Sequence, residues 1–214
     1  SEMCIRDRYI GLEIDYLNEE SNPSVARFRE LPLDYRIGSV HLLYNDKGEV
    51  VDVDVTADKF RKLVDEEFGG DLVRVVHLYY ERLMRMVELG GFDVVGHADK
   101  MHYNAAAYRP GLLDEPWYNA LIQEYLDAIA RRGYIVEVNT KSYLELGTFY
   151  PNERYFPVLL EKGIRVQVNS DSHYPERINN GRLQALAVLQ ASGYHTVTEM
   201  YNNEWKDMPL IIHT

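Results

Sequence analysis

Side chains able to bind a metal ion stand at the ends of several apolar stretches of this 214-residue sequence. In chain order they are Glu13, His41, His97, Asp171 and His173. Glu13 and Asp15 are two residues apart, as are Asp171 and His173, so each pair would share one face of an extended strand. Burying such groups is costly unless they are paired or bind a metal. Two carboxylates and three imidazoles suit Mn, Fe or Zn, and a carboxylate can bridge two ions.

The elements that would position these side chains repeat in one order: helix, glycine, short apolar strand, polar turn. Helices are predicted over residues 57–68, 72–89, 115–132, 152–162 and 181–191. Strands are predicted over residues 9–16, 34–43, 92–95, 134–138, 164–168 and 196–200. Thr56 is predicted to cap the first helix, and residues 21–32 form a loop or a short irregular helix. The alternation predicts a parallel α/β fold.

A closed barrel is favoured over an open sheet for two reasons. Several strands end in polar or ionisable residues, which is where parallel barrels carry their functional groups. No glycine-rich phosphate loop marks the switch point that an open α/β sheet would use.

Composition narrows the class of protein. There are 34 acidic and 23 basic residues, for a net charge of −11, which disfavours binding to a phosphate backbone. No apolar run reaches the roughly 18–20 residues of a membrane span. The one cysteine excludes a disulfide framework and indicates a reducing compartment, so we expect a cytoplasmic protein with one domain.

Both termini are unusual. Met-Cys-Ile-Arg-Asp, within residues 1–8, resembles the translation of a transposase sequencing adapter, so these residues are expected to be a non-native tail. The domain would then run from residue 9 to residue 214, with further sequence upstream missing. Near the other end, Leu210-Ile211-Ile212 is expected to form a short closing strand.

Five segments, GLEIDY, GSVHLL, DVVGHADKM, VEVNT and NSDSHYPERI, resemble the polymerase and histidinol phosphatase (PHP) family, in its histidinol-phosphate phosphatase branch. They occur in the family's order and extend over nearly all of residues 9–214. The resemblance implies a distorted seven-stranded β/α barrel with three metal ions at its mouth. It also implies hydrolysis of L-histidinol phosphate to L-histidinol and phosphate in histidine biosynthesis.

The resemblance also assigns roles to the five ligands. Glu13 matches the carboxylate that bridges two metals, and His41 and His97 match the imidazoles that complete the second metal site. Asp171 matches a carboxylate on the first metal, and His173 an imidazole on the third. The family's opening His-x-His strand and the ligands that follow it do not occur here. The expectation is therefore a barrel that lacks its first one or two β/α units and binds fewer metals.

Asp171 is also expected to act in catalysis, by accepting a proton from the attacking water and passing it to the leaving alkoxide. The other residues expected near the substrate are Asp15, Asp99, Lys100, His102, Asn139, Lys141 and Arg177. Arg177 and Lys100 would bind phosphate, with a solvated surface charge as the alternative for each. His102 would meet the substrate's imidazole ring. Asp15 would contact the substrate or orient a metal ligand.

Two other functions stay open at this point. One is a PHP phosphoesterase acting on another small monoester or on a nucleotide, and the other is an inactive fragment that binds one metal or none. The tyrosines are expected to pack helices and not to stack bases, because basic residues do not alternate with them. His77 is expected to pack in a helix, and His195 and His213 to have no role. The expected partner is a small phosphate ester, and the sequence does not indicate an oligomeric state.

Overall fold

The computed structural model describes residues 8–210, within which it contains nine strands and eight α-helices. The strands are β1 (Gly11–Asp15), β2 (Tyr35–Ser39), β3 (Leu42–Tyr44), β4 (Val50–Asp52), β5 (Val94–Val95), β6 (Ile135–Asn139), β7 (Val166–Asn169), β8 (Thr196–Tyr201) and β9 (Glu204–Pro209). The helices are α1 (Ala26–Arg29), α2 (Ala57–Glu67), α3 (Leu72–Leu89), α4 (His102–Tyr108), α5 (Pro116–Arg132), α6 (Tyr143–Leu146), α7 (Phe156–Glu161) and α8 (Arg182–Ala191).

Five strands form one parallel sheet, in the order β1-β2-β5-β6-β7. The other four form two antiparallel hairpins, β3-β4 and β8-β9. The predicted parallel α/β architecture is therefore confirmed. A closed barrel is not: within residues 8–210, β1 and β7 each pair with one strand of the sheet, so the sheet is open. The predicted strand after α8 forms as β8, but it pairs with β9 and does not extend the parallel sheet.

The two faces of the sheet differ in polarity because successive side chains of a strand point to opposite sides. One face carries the apolar residues Ile14, Val95, Val136 and Val138, all buried. The opposite face carries Glu13 and Asp15 on β1. Register places the polar residues of β2, β6 and β7 on that same face, towards the carboxyl ends of the strands. The sheet therefore offers one apolar surface for helices and one polar surface for chemistry.

Helices α3 and α5 pack together, and their limits agree with the predicted ones to within one residue. Eight side chains of α3 are buried along one stripe, as its 3.6-residue periodicity predicts. Its first turn is capped by Asp71, which accepts the Arg74 backbone N–H at 3.0 Å. Gly133 ends α5 with φ 70°, in the left-handed region that glycine adopts without strain. The rings of Tyr80 and Tyr118 meet edge to face between the helices, which agrees with the packing role expected for the tyrosines.

The strand predicted over residues 34–43 is wrong in its length, because the chain leaves the sheet after Ser39. The backbone N–H of His41 is taken by the Asp15 carboxylate at 3.1 Å instead of by a neighbouring strand. The next residues form β3, which turns back through a polar loop into β4. This break is what moves His41 off the sheet and over the end of β1.

Three other local expectations need correction. The helix predicted over residues 152–162 is divided into a 3-10 turn, Glu153–Tyr155, and α7, whose second residue is Pro157. Helix α4 was not predicted. The Thr56 side chain makes no capping hydrogen bond to α2.

The predictions for the extreme termini fall largely outside the described residues. These are the tail at residues 1–7, the remainder of the closing strand after Leu210, and His213. Leu210 itself is buried in the core, and Trp205 lies in β9. Of the helices between residues 8 and 210, none has the length and hydropathy needed to cross a bilayer.

Candidate metal centre

Three of the predicted ligands meet at the carboxyl end of the sheet. The ligand atoms of Glu13, His41 and His97 all lie within 4.8 Å of one another. Glu13 Oε1 is 2.9 Å from His97 Nε2 and 3.8 Å from His41 Nε2. The two imidazole rings are in edge contact, with centroids 4.6 Å apart. One carboxylate and two imidazoles in this arrangement form a donor set that suits Zn, Mn or Fe.

The burial of His97 supports a bound cation. Its side chain is 3% exposed, and its Nδ1 has no hydrogen-bond partner among the described residues. A buried imidazole nitrogen without a partner is unfavourable. A cation coordinated through that nitrogen would occupy its lone pair, while Nε2 keeps its contact with Glu13. The residues present therefore fit a divalent metal.

The electrostatics of the cluster favour an ionised carboxylate beside its imidazoles. Burial alone would raise the pKa of Glu13, but the hydrogen bond and charge of His97, the Ser39 hydroxyl and the charge of His41 together lower it to about 2. Burial alone would lower the pKa of His41, but the neighbouring carboxylates of Asp15, Glu13 and Asp54 outweigh burial and raise it. Both shifts have the direction expected where a carboxylate lies beside positive charge.

Asp15 orients His41. Its Oδ1 lies 2.7 Å from His41 Nδ1 and also accepts the His41 backbone N–H. With Nδ1 bound to this carboxylate, Nε2 is directed towards Glu13. Such carboxylate partners fix the ring orientation and tautomer of metal-binding histidines. Of the two roles expected for Asp15, this contact is consistent with that of a partner to the predicted ligand His41.

Glu13 is held by Ser39, whose hydroxyl donates to Oε1 at 2.6 Å. The position depends on Gly96, which lies against Ser39. A Cβ on Gly96 would be 2.3 Å from Ser39 Oγ and 2.9 Å from Ile37 Cγ2. Only glycine leaves Ser39 room to reach Glu13.

We therefore expect Gly96→Ala to weaken zinc binding about tenfold, because Ser39 must rotate away from Glu13. Isothermal titration calorimetry with zinc measures the loss. Ser39→Ala is the matched variant: it should cause a similar loss, and the double variant should lose little more. Zinc binding by Gly96→Ala equal to that of the unsubstituted chain would contradict this role of the glycine.

Asp171 and His173 lie outside the three-residue group. Asp171 Oδ2 is 3.1 Å from Lys141 Nζ and 3.2 Å from Asn139 Nδ2. His173 Nδ1 is 3.6 Å from Asp171 Oδ1, and its side chain is 63% exposed. The sequence predicted one centre of five ligands, whereas the structure brings three together and leaves these two beside a neighbouring cavity.

That cavity has a volume of about 180 Å³ and is lined by Asp171, His173, Lys141 and Arg177 among others. Arg177 forms a surface ion pair with Glu145 at 2.9 Å. The cavity thus brings Arg177, one of the two predicted phosphate-binding cations, and Lys141 close to the predicted proton acceptor. Its size suits a small polar ligand.

Lys100 is the predicted cation nearest to the three ligands. Its side chain is 8% exposed, its Nζ lies 3.2 Å from Asp54, and it stands over the Tyr150 ring. Asp54 in turn is 3.9 Å from His41 Nε2. Lys100 is therefore a buried cation at the edge of the centre and not the solvated surface charge of the alternative reading.

His102 is buried in a polar network away from solvent. Its Nδ1 is 3.2 Å from Asp99 Oδ1, and its Nε2 is 3.1 Å from Thr148 Oγ1 and 3.2 Å from Asn152 Nδ2. Both ring nitrogens are thus in contact with protein groups, and the contact of His102 with a substrate stays a prediction. His77, for which a packing role in a helix is predicted, stacks on Trp117 with ring centroids 5.4 Å apart.

The His102–Asp99 pair predicts a pH-dependent contribution to stability. Burial lowers the pKa of His102, but the charge and hydrogen bonds of Asp99 and the charge of Glu153 outweigh it and raise the pKa. A raised folded pKa stabilises the fold fully below the unfolded value of about 6.5 and no longer does so above the folded pKa. We expect the difference in unfolding free energy between the chain and His102→Gln, in EDTA, to shrink as pH rises from 6. A difference that is constant or grows with pH would contradict this pairing.

Two functional candidates were missed in the sequence. Glu137 is buried in β6, where it accepts the backbone N–H of His97. Its signal was an acidic residue between two valines in β6, IVEVN. Asp54 links His41 and Lys100, and its only signal was the alternation of valine and aspartate in VDVDV.

Comparisons with known proteins address the family. The sequence model described as PHP domain matches residues 7–141. A Schizosaccharomyces pombe protein named "Probable histidinol-phosphatase" is 24% identical over 191 residues, which are 86% of this chain and 59% of that protein. A Deinococcus radiodurans protein of the same name is 27% identical over 201 residues, 90% of this chain and 67% of that one. This chain thus spans about three fifths of the length of the first relative.

Two solved structures share the fold. A Listeria monocytogenes protein assigned to the histidinol phosphatases superposes with a TM-score of 0.71 at 22% identity, covering 82% of this chain and 67% of its own. The histidinol phosphate phosphatase of Lactococcus lactis, solved with Zn, L-histidinol and phosphate, gives a TM-score of 0.59 at 16% identity. That match covers 92% of this chain and 71% of the other.

Proposed function

The chain belongs to the PHP domain family, whose model matches more than half of its residues, and from this premise we propose that it is a metal-dependent phosphomonoester hydrolase. Its substrate is L-histidinol phosphate, and its products are L-histidinol and phosphate. The observation that carries the proposal is the convergence of Glu13, His41 and His97, which come from three separate strand ends. The relatives named as histidinol phosphatases support the choice of substrate.

Glu13, His41 and His97 are the residues that would hold a divalent cation. When bound, such a cation supplies positive charge for phosphate oxygens and lowers the pKa of water. Zn, Mn and Fe all accept this donor set. The zinc in the Lactococcus lactis structure favours zinc among the three.

The chain's own cations would orient the ester. Lys100, held by Asp54 at 3.2 Å, is buried next to the ligands and contributes a fixed positive charge for the phosphoryl group. Lys141 and Arg177 border the cavity beside Asp171, so they are placed to bind further phosphate oxygens. The Arg177 guanidinium suits two phosphate oxygens at once. It would exchange its surface contact with Glu145 for the ligand.

Asp171 is proposed to move the proton. A water molecule attacks the phosphorus, and its proton passes to an Asp171 carboxylate oxygen. As the bond between phosphorus and the ester oxygen breaks, Asp171 donates that proton to the leaving alkoxide. Lys141 Nζ, 3.1 Å from Asp171 Oδ2, would hold this carboxylate in place beside the cavity.

We propose a wider setting for this reaction on the same basis. Residues 9–214 would form part of a PHP barrel, with residues 1–8 outside it. The open sheet of the described residues and the 59% coverage of a longer relative support a partial barrel. The partner is a small phosphate ester and not a nucleic acid, and the reaction takes place in the cytoplasm.

The proposal is tested by phosphate release from L-histidinol phosphate, AMP and p-nitrophenyl phosphate, using the chain loaded with Zn²⁺ or Mn²⁺. We expect kcat/KM for L-histidinol phosphate to exceed that for AMP by at least about tenfold. EDTA should abolish the activity. A preference for AMP would replace the assigned substrate with a nucleotide. No release from any of the three esters would contradict the hydrolase proposal.

A second candidate function is a metal-binding chain without turnover. It is favoured by the metal group itself, because the described residues form one group of three ligands, whereas the family resemblance implies three metals. Zinc bound at about one per chain, together with no phosphate release, would establish it. Stoichiometric zinc with hydrolysis would exclude it.

A further inference from the structure

We propose that Glu137 is a positioning residue that holds the backbone of His97, and through Asn139 the side chain of Asp171, in the arrangement that metal binding requires. The inference rests on the metal site of the proposed function but not on its reaction. Glu137 is absent from the three-ligand group, so it acts through other residues.

The Glu137 carboxylate is a buried acceptor for three donors. Oε2 accepts the His97 backbone N–H at 2.9 Å and Asn139 Nδ2 at 3.1 Å. Oε1 accepts Asn169 Nδ2 at 2.9 Å. The residue is 4% exposed, and no ion pair between described residues includes it. One buried side chain thus satisfies donors from three different residues.

The backbone is unusual in both loops that these hydrogen bonds reach. His97 has φ 26° and Asp171 has φ 45°, in a region that residues with side chains rarely adopt. The other such residues between 8 and 210, apart from glycines, are Asn202 and Asn203 in the β8–β9 turn, where asparagine is common. The unusual backbone therefore falls on two predicted metal ligands. Strained backbone at such positions persists only where surrounding contacts fix it.

Asn139 connects Glu137 to the loop that contains Asp171. Its Nδ2 donates to Glu137 Oε2 and, at 3.2 Å, to Asp171 Oδ2. Its own Oδ1 accepts the Lys141 backbone N–H at 3.0 Å. Glu137 thus fixes the orientation of an amide that reaches Asp171, and it binds His97 directly.

The test is Glu137→Gln, which keeps the side-chain volume but removes the charge and one acceptor oxygen. We expect zinc affinity, measured by calorimetry on the folded chain, to fall about 10- to 100-fold. Unfolding free energy in EDTA should fall, because the glutamine NH2 faces a donor that the second carboxylate oxygen accepted. Hydrogen exchange of the His97 amide should become faster. Zinc affinity within about twofold of the unsubstituted chain would overturn the inference.

Two further variants keep the test decisive. Gln167→Met alters the residue that is paired in register with Glu137. The side-chain oxygen of Gln167 has no hydrogen-bond partner among the described residues, so this variant should leave zinc affinity unchanged. A loss in that variant as large as in Glu137→Gln would overturn the specific role. If Glu137→Gln does not fold, Asn169→Ala removes one of the three donors and should lower zinc affinity about threefold or more. Unchanged zinc affinity in Asn169→Ala would contradict the inference. Neither readout uses a phosphate ester, so a chain without phosphatase activity leaves this test intact.

Discussion

Replacing Glu13 by glutamine is expected to lower the affinity of the chain for zinc by at least about 100-fold, more than the loss typical of an outer-shell residue. The substitution keeps the shape of the side chain and removes the negative charge of the carboxylate. The neighbours of Glu13 lower the pKa of this group to about 2. Glu13 Oε1 is the atom that contacts both His97 and His41. Without that carboxylate, the group of three predicted ligands keeps two imidazoles and no anionic ligand. Calorimetric titration with Zn²⁺ measures the effect.

Glu145→Gln is the matched control for this substitution. Glu145 is exposed and pairs with Arg177, so its loss removes the same charge far from the three ligands. The control should bind zinc as the unsubstituted chain does. If Glu13→Gln kept its zinc affinity, or if both variants lost it equally, the assignment of Glu13 as a ligand would be wrong.

Replacing Asp171 by asparagine is expected to lower kcat for L-histidinol phosphate by about 10²–10⁴-fold, the usual effect of removing a general acid or base. KM should change far less, because an amide can still bond to Asn139 and Lys141 but cannot take the proton of the attacking water. Steady-state kinetics of the zinc-loaded chain separate the two parameters.

Glu176→Gln serves as the control, since it removes a nearby exposed charge without touching the cavity's carboxylate. It should leave kcat within about twofold. Equal losses of kcat and of apparent affinity in Asp171→Asn would show that Asp171 binds the substrate instead of moving a proton.

The sequence predicted the features of the fold that depend on residues close together in the chain, such as the limits of a helix. Helix α3 has the predicted limits because its apolar stripe has a clear period and a glycine pair follows it. Strand ends predicted Glu13, His41 and His97 together, because the carboxyl ends of parallel strands meet at one edge.

Features that depend on contacts between distant residues could not be read in the same way. His41 leaves the sheet because Asp15, 26 residues earlier, accepts its backbone N–H. Glu137 was missed because its partner, the His97 N–H, lies 40 residues away and nothing in the spacing marks it. Asp171 and His173 were expected at the same centre as the other three residues. The two-residue period of a strand predicts the side of the sheet on which a side chain lies, and the end of the strand predicts its position along the sheet. Neither predicts the distance between side chains on different strands.

Anomalous diffraction at the zinc edge from crystals of the zinc-loaded chain tests the central claim most directly. The account predicts a zinc peak bounded by Glu13, His41 and His97, with ligand distances of about 2.0–2.2 Å. A peak at Asp171 and His173 with none at these three residues, or no ordered zinc at all, would contradict it.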